Sequence, residues 1–178
     1  GLKIQLKHLD PTLKYNREKK SEIKLSLFFK EESEYYKNRL QKNSIDFTIF
    51  LEDDFSISIN RGKIVQIIDN LISNSEYWLI KLKGNDPNCK PSITIKIESP
   101  WIYFYDNGYG ISPAIENMLF EPFVTTKPKG EGRGLGLFII QQLLDSSKCT
   151  IALEPFRNEH GRKYIFAINF SNIINEYK

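Results

Sequence analysis

The chain has 178 residues, of which 40% are hydrophobic and 26% charged, a balance that suits one soluble domain with a single core. Its 25 basic and 22 acidic side chains leave a net charge of +3, too even to point to nucleic acid. No apolar run reaches the roughly 20 residues of a membrane span, and without a basic-then-apolar stretch at Gly1 secretion is not expected.

Cys89 and Cys149 lack CxxC spacing, and His8 and His160 are too few for a zinc centre, so the expected setting is cytoplasmic and reducing. Residues 1–20 are basic and broken at Pro11; they are expected to be a linker or the tail of a preceding element, with His8 a surface histidine. Over residues 21–43, Ile23, Leu27, Phe28, Tyr35 and Leu40 recur at near-helical spacing and predict one long helix with Ser21 as N-cap. Ile45, Phe47, Ile49 and Leu51 alternate, as do Phe55, Ile57 and Ile59. With Glu52, Asp53 and Asp54 between the two runs, they predict an antiparallel hairpin.

Residues 61–82 predict a second helix, with Ile64, Ile68, Leu71, Ser75, Leu79 and Leu82 as its core stripe. Asn70 and Asn74, four apart, share a face beside that stripe. Asparagine is a mediocre helix former, yet its carboxamide oxygen is a hard, neutral ligand that suits Mg²⁺. Polar boundary residues on a half-exposed helix would look the same. Residues 92–99 and 101–105 predict neighbouring strands split by Pro100, the second running into Asp106-Asn107-Gly108-Tyr109-Gly110-Ile111. An aspartate at the end of a buried strand is costly unless its carboxylate has a partner. A purine amine is one such partner; a plain Asp-Gly turn is the alternative.

Residues 113–118 predict a short helix. Gly130, Gly132, Gly134 and Gly136 then recur at every second position before an apolar helix over 135–146. Glycines that open a helix leave its N–H groups unhindered for an anion, phosphate above all, or else serve as a hinge. Residues 149–153 and 164–170 predict a terminal hairpin around Gly161, and the polar tail from Ser171 is expected to fray.

In this order and spacing, NLISN (70–74), DNGYGI (106–111) and FEPFVTTKPKGEGRGLGL (120–137) resemble the ATP-binding catalytic domain of sensor histidine kinases. That family sits in the wider superfamily of gyrase, the heat-shock chaperone of the same fold and the mismatch-repair ATPases. The resemblance spans residues 21–170 and implies an α/β (α+β) two-layer sandwich. A mixed, mostly antiparallel sheet would be covered on one face by helices, with ATP under a short lid. Residues 171–178 would be a tail.

By the same resemblance, Asn74 would ligate Mg²⁺, Asn70 would sit near the γ-phosphate, and Asp106 would accept from the adenine amine. Gly108 and Gly110 would leave room for the ring, with Ile111 beside them. Phe120 and Phe123 would anchor the lid, which Thr125 and Thr126 open and Gly132 ends. Gly132, Gly134 and Gly136 would give N–H groups to the phosphates, Arg133 and Leu135 would join the nucleotide contacts, and Lys127 would reach the phosphates as a point charge.

Four departures from the family pattern carry meaning. Hydrolases of this superfamily place a glutamate where Asn70 stands, and an amide cannot be a general base, which favours phosphoryl transfer or slow hydrolysis. Tyr77 and Trp78 replace a basic–aromatic pair, Arg133 replaces a small hydroxyl residue, and Arg162 and Lys163 stand where a threonine supports adenine. No helical hairpin presents an acceptor histidine, since His8-Leu9-Asp10-Pro11 does not match that pattern. The expected function is transfer of the γ-phosphoryl group of Mg-ATP to a histidine on another domain or chain. The alternative is an ATP-gated switch or slow ATPase module of a larger machine, with a serine kinase of the anti-sigma type behind it. Expected partners are ATP, an acceptor or effector domain outside this chain, and a second copy through upstream helices, with no nucleic acid and no membrane segment.

Overall fold

The computed structural model describes residues 19–175. His8 and nearly all of the expected linker lie outside them. The described chain begins with β1 (Ser21–Lys24), α1 (Leu25–Gln41), β2 (Asp46–Asp53), β3 (Ser56–Ile59) and α2 (Arg61–Asn85). It continues through β4 (Ser92–Glu98), β5 (Trp101–Asp106), a 3-10 turn (Glu116–Met118), α3 (Gly136–Asp145), β6 (Thr150–Leu153), β7 (Ile165–Asn169) and a last 3-10 turn (Ser171–Ile173).

The main sheet runs in the order β2-β4-β5-β7-β6, and a separate two-stranded sheet pairs β1 with β3. Only the β2–β4 pair is parallel, so the main sheet is mixed and mostly antiparallel. Alternate residues make the inner face: Ile93, Ile95 and Ile97 on β4, with Ile102 and Phe104 on β5, are buried. Against them pack the buried stripes of the three helices, including Phe28, Phe29 and Leu40 of α1, Ile64, Ile68, Leu71 and Leu79 of α2, and Ile140 and Leu144 of α3.

Three expectations change. The first four residues of the expected long helix form β1, because Ile23 pairs with Ile57 across the small sheet; Ser21 is therefore not its cap. The hairpin at 45–59 does not form, since β2 pairs with β4 and β3 with β1. The acidic corner serves the helix instead. One Asp54 carboxylate oxygen accepts from the Ser26 N–H at 3.0 Å and from the Phe55 N–H at 3.0 Å, and Lys24, the residue at the α1 N-cap, makes no side-chain cap bond. The tail does not fray at Ser171. Ile174 bridges to Ile57, and the Asn175 N–H donates to the Ser56 carbonyl at 3.1 Å.

Helix α2 is the spine of the molecule. The Asn60 side chain accepts from the Lys63 N–H and caps it. Arg39 of α1 fixes its middle through Glu76, at 2.6 and 2.9 Å, and through the Ser73 hydroxyl at 2.9 Å. Ile68 is fully buried at its centre. Ile68→Ala should lower stability by about 2–5 kcal/mol, read as a lower urea midpoint with an unchanged slope.

Candidate functional site

Helix α2 has one face in the core, and its neighbouring face lines a cavity of about 340 Å³, within the size range of small-molecule sites. Asn70, Ser73, Asn74 and Trp78 supply the α2 wall. Asp106, Gly110 and Ile111 close the end below β5. Thr125, Thr126, Lys127, Gly132 and Arg133 form the flap, and Gly134, Leu135 and Gly136 lead from it into α3. Two expected residues stand apart from this lining. Phe123 is largely exposed, and Gly108 backs the aspartate rather than the cavity.

The Asp106 carboxylate receives two hydrogen bonds. Ser75 Oγ donates to one oxygen at 2.5 Å, and the Gly108 N–H donates to the other at 2.8 Å. Desolvation pushes its pKa up, while the Ser75 and Gly108 donors pull against that rise by favouring the charged form. Ser75 therefore does chemistry that its place in the apolar stripe hid. Its hydroxyl is the one polar group in the stripe Ile64, Ile68, Leu71, Ser75, Leu79 and Leu82, too weak a mark to single it out.

At the other end, Asn70 Nδ2 is buried with no hydrogen-bond partner. A buried donor left open costs about 1–3 kcal/mol, so it awaits an acceptor. Its Oδ1 lies 4.0 Å from where a Cβ on Gly136 would stand, which brings the start of α3 beside it. That helix has no side-chain N-cap, leaving first-turn N–H groups directed at this end of the cavity. Asn70 precedes Ser75, the residue that holds Asp106, by five residues, a rise of about 7.5 Å along α2. The cavity thus carries an acceptor at one end and donors at the other.

The flap is hinged on two close strands of chain. The Phe123 N–H donates to the Gly134 carbonyl at 2.9 Å. Phe123 itself has a φ of 67°, an uncommon conformation outside glycine. Gly134, at φ 68°, has no room for a side chain, since a Cβ there would meet Phe123 and Val124 backbone atoms at 2.6–2.7 Å. At the flap's far edge, Glu131 accepts from the Tyr77 hydroxyl and pairs with Lys81 at 3.4 Å. The Lys127 ammonium sits 4.2 Å from the Tyr77 ring centroid. Desolvation lowers the Lys127 pKa, and Glu131 partly restores it. Tyr77 thus meets two cations, Lys127 from the flap and Lys81 from its own helix.

Among the described residues no cluster of three His, Cys, Asp or Glu could hold a metal ion, and no helix is long and apolar enough to cross a membrane.

Comparison with known proteins agrees with this arrangement. Residues 59–172 match the family described as histidine kinase-, DNA gyrase B- and HSP90-like ATPase. The two-component sensor PprA of Pseudomonas aeruginosa is 34% identical over 88 residues, 46% of this chain and 9% of its own length. The sensor protein ChvG of Rhizobium meliloti is 29% identical over 130 residues, 66% of this chain and 21% of its own. The chain thus spans under a quarter of either relative. Among solved structures, the catalytic domain of histidine kinase ThkA superposes with a TM-score of 0.65 at 25% identity, covering 86% of this chain and 97% of that one. The mycobacterial sensor histidine kinase MprB has the same fold, with a TM-score of 0.68 at 15% identity over 89% of this chain and 99% of that one. The chain belongs to the histidine kinase-, DNA gyrase B- and HSP90-like ATPase family.

Proposed function

We propose that the cavity binds Mg-ATP, and that residues 21–170 are the nucleotide domain of a cytoplasmic phosphotransferase that passes the γ-phosphoryl group to a histidine on another domain or chain. One observation carries this reading: Asn70, whose amide nitrogen has no partner among the described residues, and the carboxylate of Asp106 line the same cavity. A purine triphosphate presents an amine at one end and acceptor oxygens at the other, in matching order. The free thiols of Cys89 and Cys149 suit a reducing compartment.

Asp106 would take the adenine amine. The N–H groups at the α3 start, the Asn70 amide and Lys127 would carry the charge of the phosphates. Mg²⁺ would be held by Asn74. The residues fit it, because this ion keeps its waters and takes few protein ligands beside substrate phosphates, and carboxamides, those of Asn70 and Asn74, line the α2 wall of the cavity. When bound, the ion neutralises phosphate charge. Asn70, being an amide, orients and donates but takes no proton from water, so transfer is favoured over hydrolysis.

The ATP-gated switch draws support from a different contact. Glu131 ties the flap to Tyr77 and Lys81 of α2, and nucleotide that recruits Lys127 would loosen that tie. Labelled ATP separates the two readings in a protein that carries this domain with its natural neighbours. Acid-labile phosphoprotein supports transfer; free phosphate alone overturns it in favour of the switch.

Asn74→Ala should abolish the Mg²⁺-dependent part of ATP-analogue binding, measured by titration calorimetry with and without the ion. Asp106→Asn should weaken adenine nucleotides about ten- to hundredfold while melting no lower than the wild type. The melting behaviour follows from the raised pKa. Protonation of Asp106 favours the fold, a contribution complete below the ordinary carboxylate pKa and lost as pH rises through the folded value. Nucleotide affinity runs the other way, falling as Asp106 protonates. Ser75→Ala removes a donor to the charged form, so the acid limb of the affinity–pH curve should move to higher pH.

A further inference from the structure

The chain between β6 and β7 is strapped onto the loop that follows Asp106, and one side chain makes the strap. Asn158 Nδ2 donates to the Tyr109 carbonyl at 3.0 Å and to the Gly108 carbonyl at 3.3 Å. Its Oδ1 accepts from the His160 N–H at 2.9 Å and the Arg162 N–H at 3.1 Å. The Asn158 N–H donates to the Arg162 carbonyl, and its carbonyl accepts from the Gly161 N–H, both at 2.9 Å. Both ends of the carboxamide are therefore in use, one on each loop.

The neighbouring chain reinforces the strap. The Ile111 N–H donates to the Lys163 carbonyl at 2.8 Å. Gly110, at φ 82°, has no room for a side chain because Asn158 Nδ2 and Arg162 Cβ would each lie 2.9 Å from its Cβ. Outside the strap, Arg157 pairs with Glu116 at 3.0 Å and donates to the Gly161 carbonyl at 2.9 Å.

The carbonyls that Asn158 grips belong to Gly108 and Tyr109, and Gly108 is the residue whose N–H holds the Asp106 carboxylate. We propose that Asn158 is the positioning residue of the base end of the cavity. It fixes the 108–110 backbone, thereby aims Asp106, and so sets affinity for adenine over a base with an acceptor in place of the amine. This rests on the reading that Asp106 receives the adenine amine. No other side chain of this length donates twice and accepts twice: aspartate accepts only, unless it is protonated, when it regains one donor.

The test measures AMPPNP and GMPPNP binding, each with Mg²⁺, by calorimetry on the whole chain between about pH 4 and pH 8, a range that reaches the ordinary aspartate pKa of about 3.9. At pH 8, Asn158→Asp should bind AMPPNP about tenfold or more weakly than the wild type. The ratio of variant to wild-type affinity should close as pH falls and the new carboxyl takes up its proton. Asn158→Ala should be weak at every pH and should narrow the preference for AMPPNP over GMPPNP. Should that variant fail to fold, the pH-dependent recovery of Asn158→Asp alone decides the matter. Wild-type binding of AMPPNP with variants that match it at every pH overturns the positioning role alone, as does an Asn158→Asp deficit that ignores pH. Absence of any wild-type binding overturns the nucleotide reading and this role with it.

Discussion

The hydrogen bond from Ser75 to Asp106 joins the two halves on which the rest of the molecule depends. Asp106 ends β5, the strand whose Ile102 and Phe104 lie in the core, and Ser75 sits on α2 between the core residues Leu71 and Leu79. A half-buried carboxylate is tolerable only with donors around it. Each donor comes from a different element: Ser75 from the helix, the Gly108 N–H from the loop beyond the strand. Neither element can shift without undoing that pairing. The geometry of one end of the cavity is therefore set by the same packing that makes the protein fold.

The other end is built differently. There α3 has no side-chain cap, the Asn70 Nδ2 has no partner among the described residues, and the flap is held by surface contacts. The Glu131–Lys81 pair is solvent-exposed, a kind of pair worth only about 0–1 kcal/mol. The Lys127–Tyr77 contact is of similar weight. The flap's roots are firm, since Gly134 and Phe123 admit no other packing. Its tip is lightly tied. Firm roots with a weak latch are what a segment would need to move as a unit on a fixed hinge.

What the sequence made legible follows from which signals are local. The helices at 61–85 and 136–145 and the strands at 92–98 and 101–106 have strong periodicity, and their burial keeps to it. Asn70, Asn74, Asp106 and the glycine run could be picked out because each is expensive where it stands. The hairpin at 45–59 failed because alternation identifies a strand and not its partner; β2 finds β4 across an intervening helix. Ser21–Lys24 failed because a four-residue strand is too short to break a helical pattern. Ser75 and Asn158 were missed for a further reason. Their roles lie in bonds across 31 and about 50 residues of sequence, and a serine in a stripe or an asparagine in a loop advertises nothing by itself.

The contrast between the two ends bears on why a single chain would need both. If base recognition were as loosely held as the flap, the free energy of binding would be spent ordering the base pocket, and little would remain to pull the flap from its perch. On the proposed reading, a base end ordered in advance by Ser75, Gly108 and Asn158 would leave the binding energy of the phosphates available for the flap. Lys127 is the natural point of transfer, because the cation that now rests on Tyr77 is also one that lines the cavity. Motion at the phosphate end then depends on immobility at the base end. On that reading a loop far along the sequence, whose Asn158 side chain holds the backbone carbonyls of Gly108 and Tyr109, would matter to a site whose chemistry lies elsewhere.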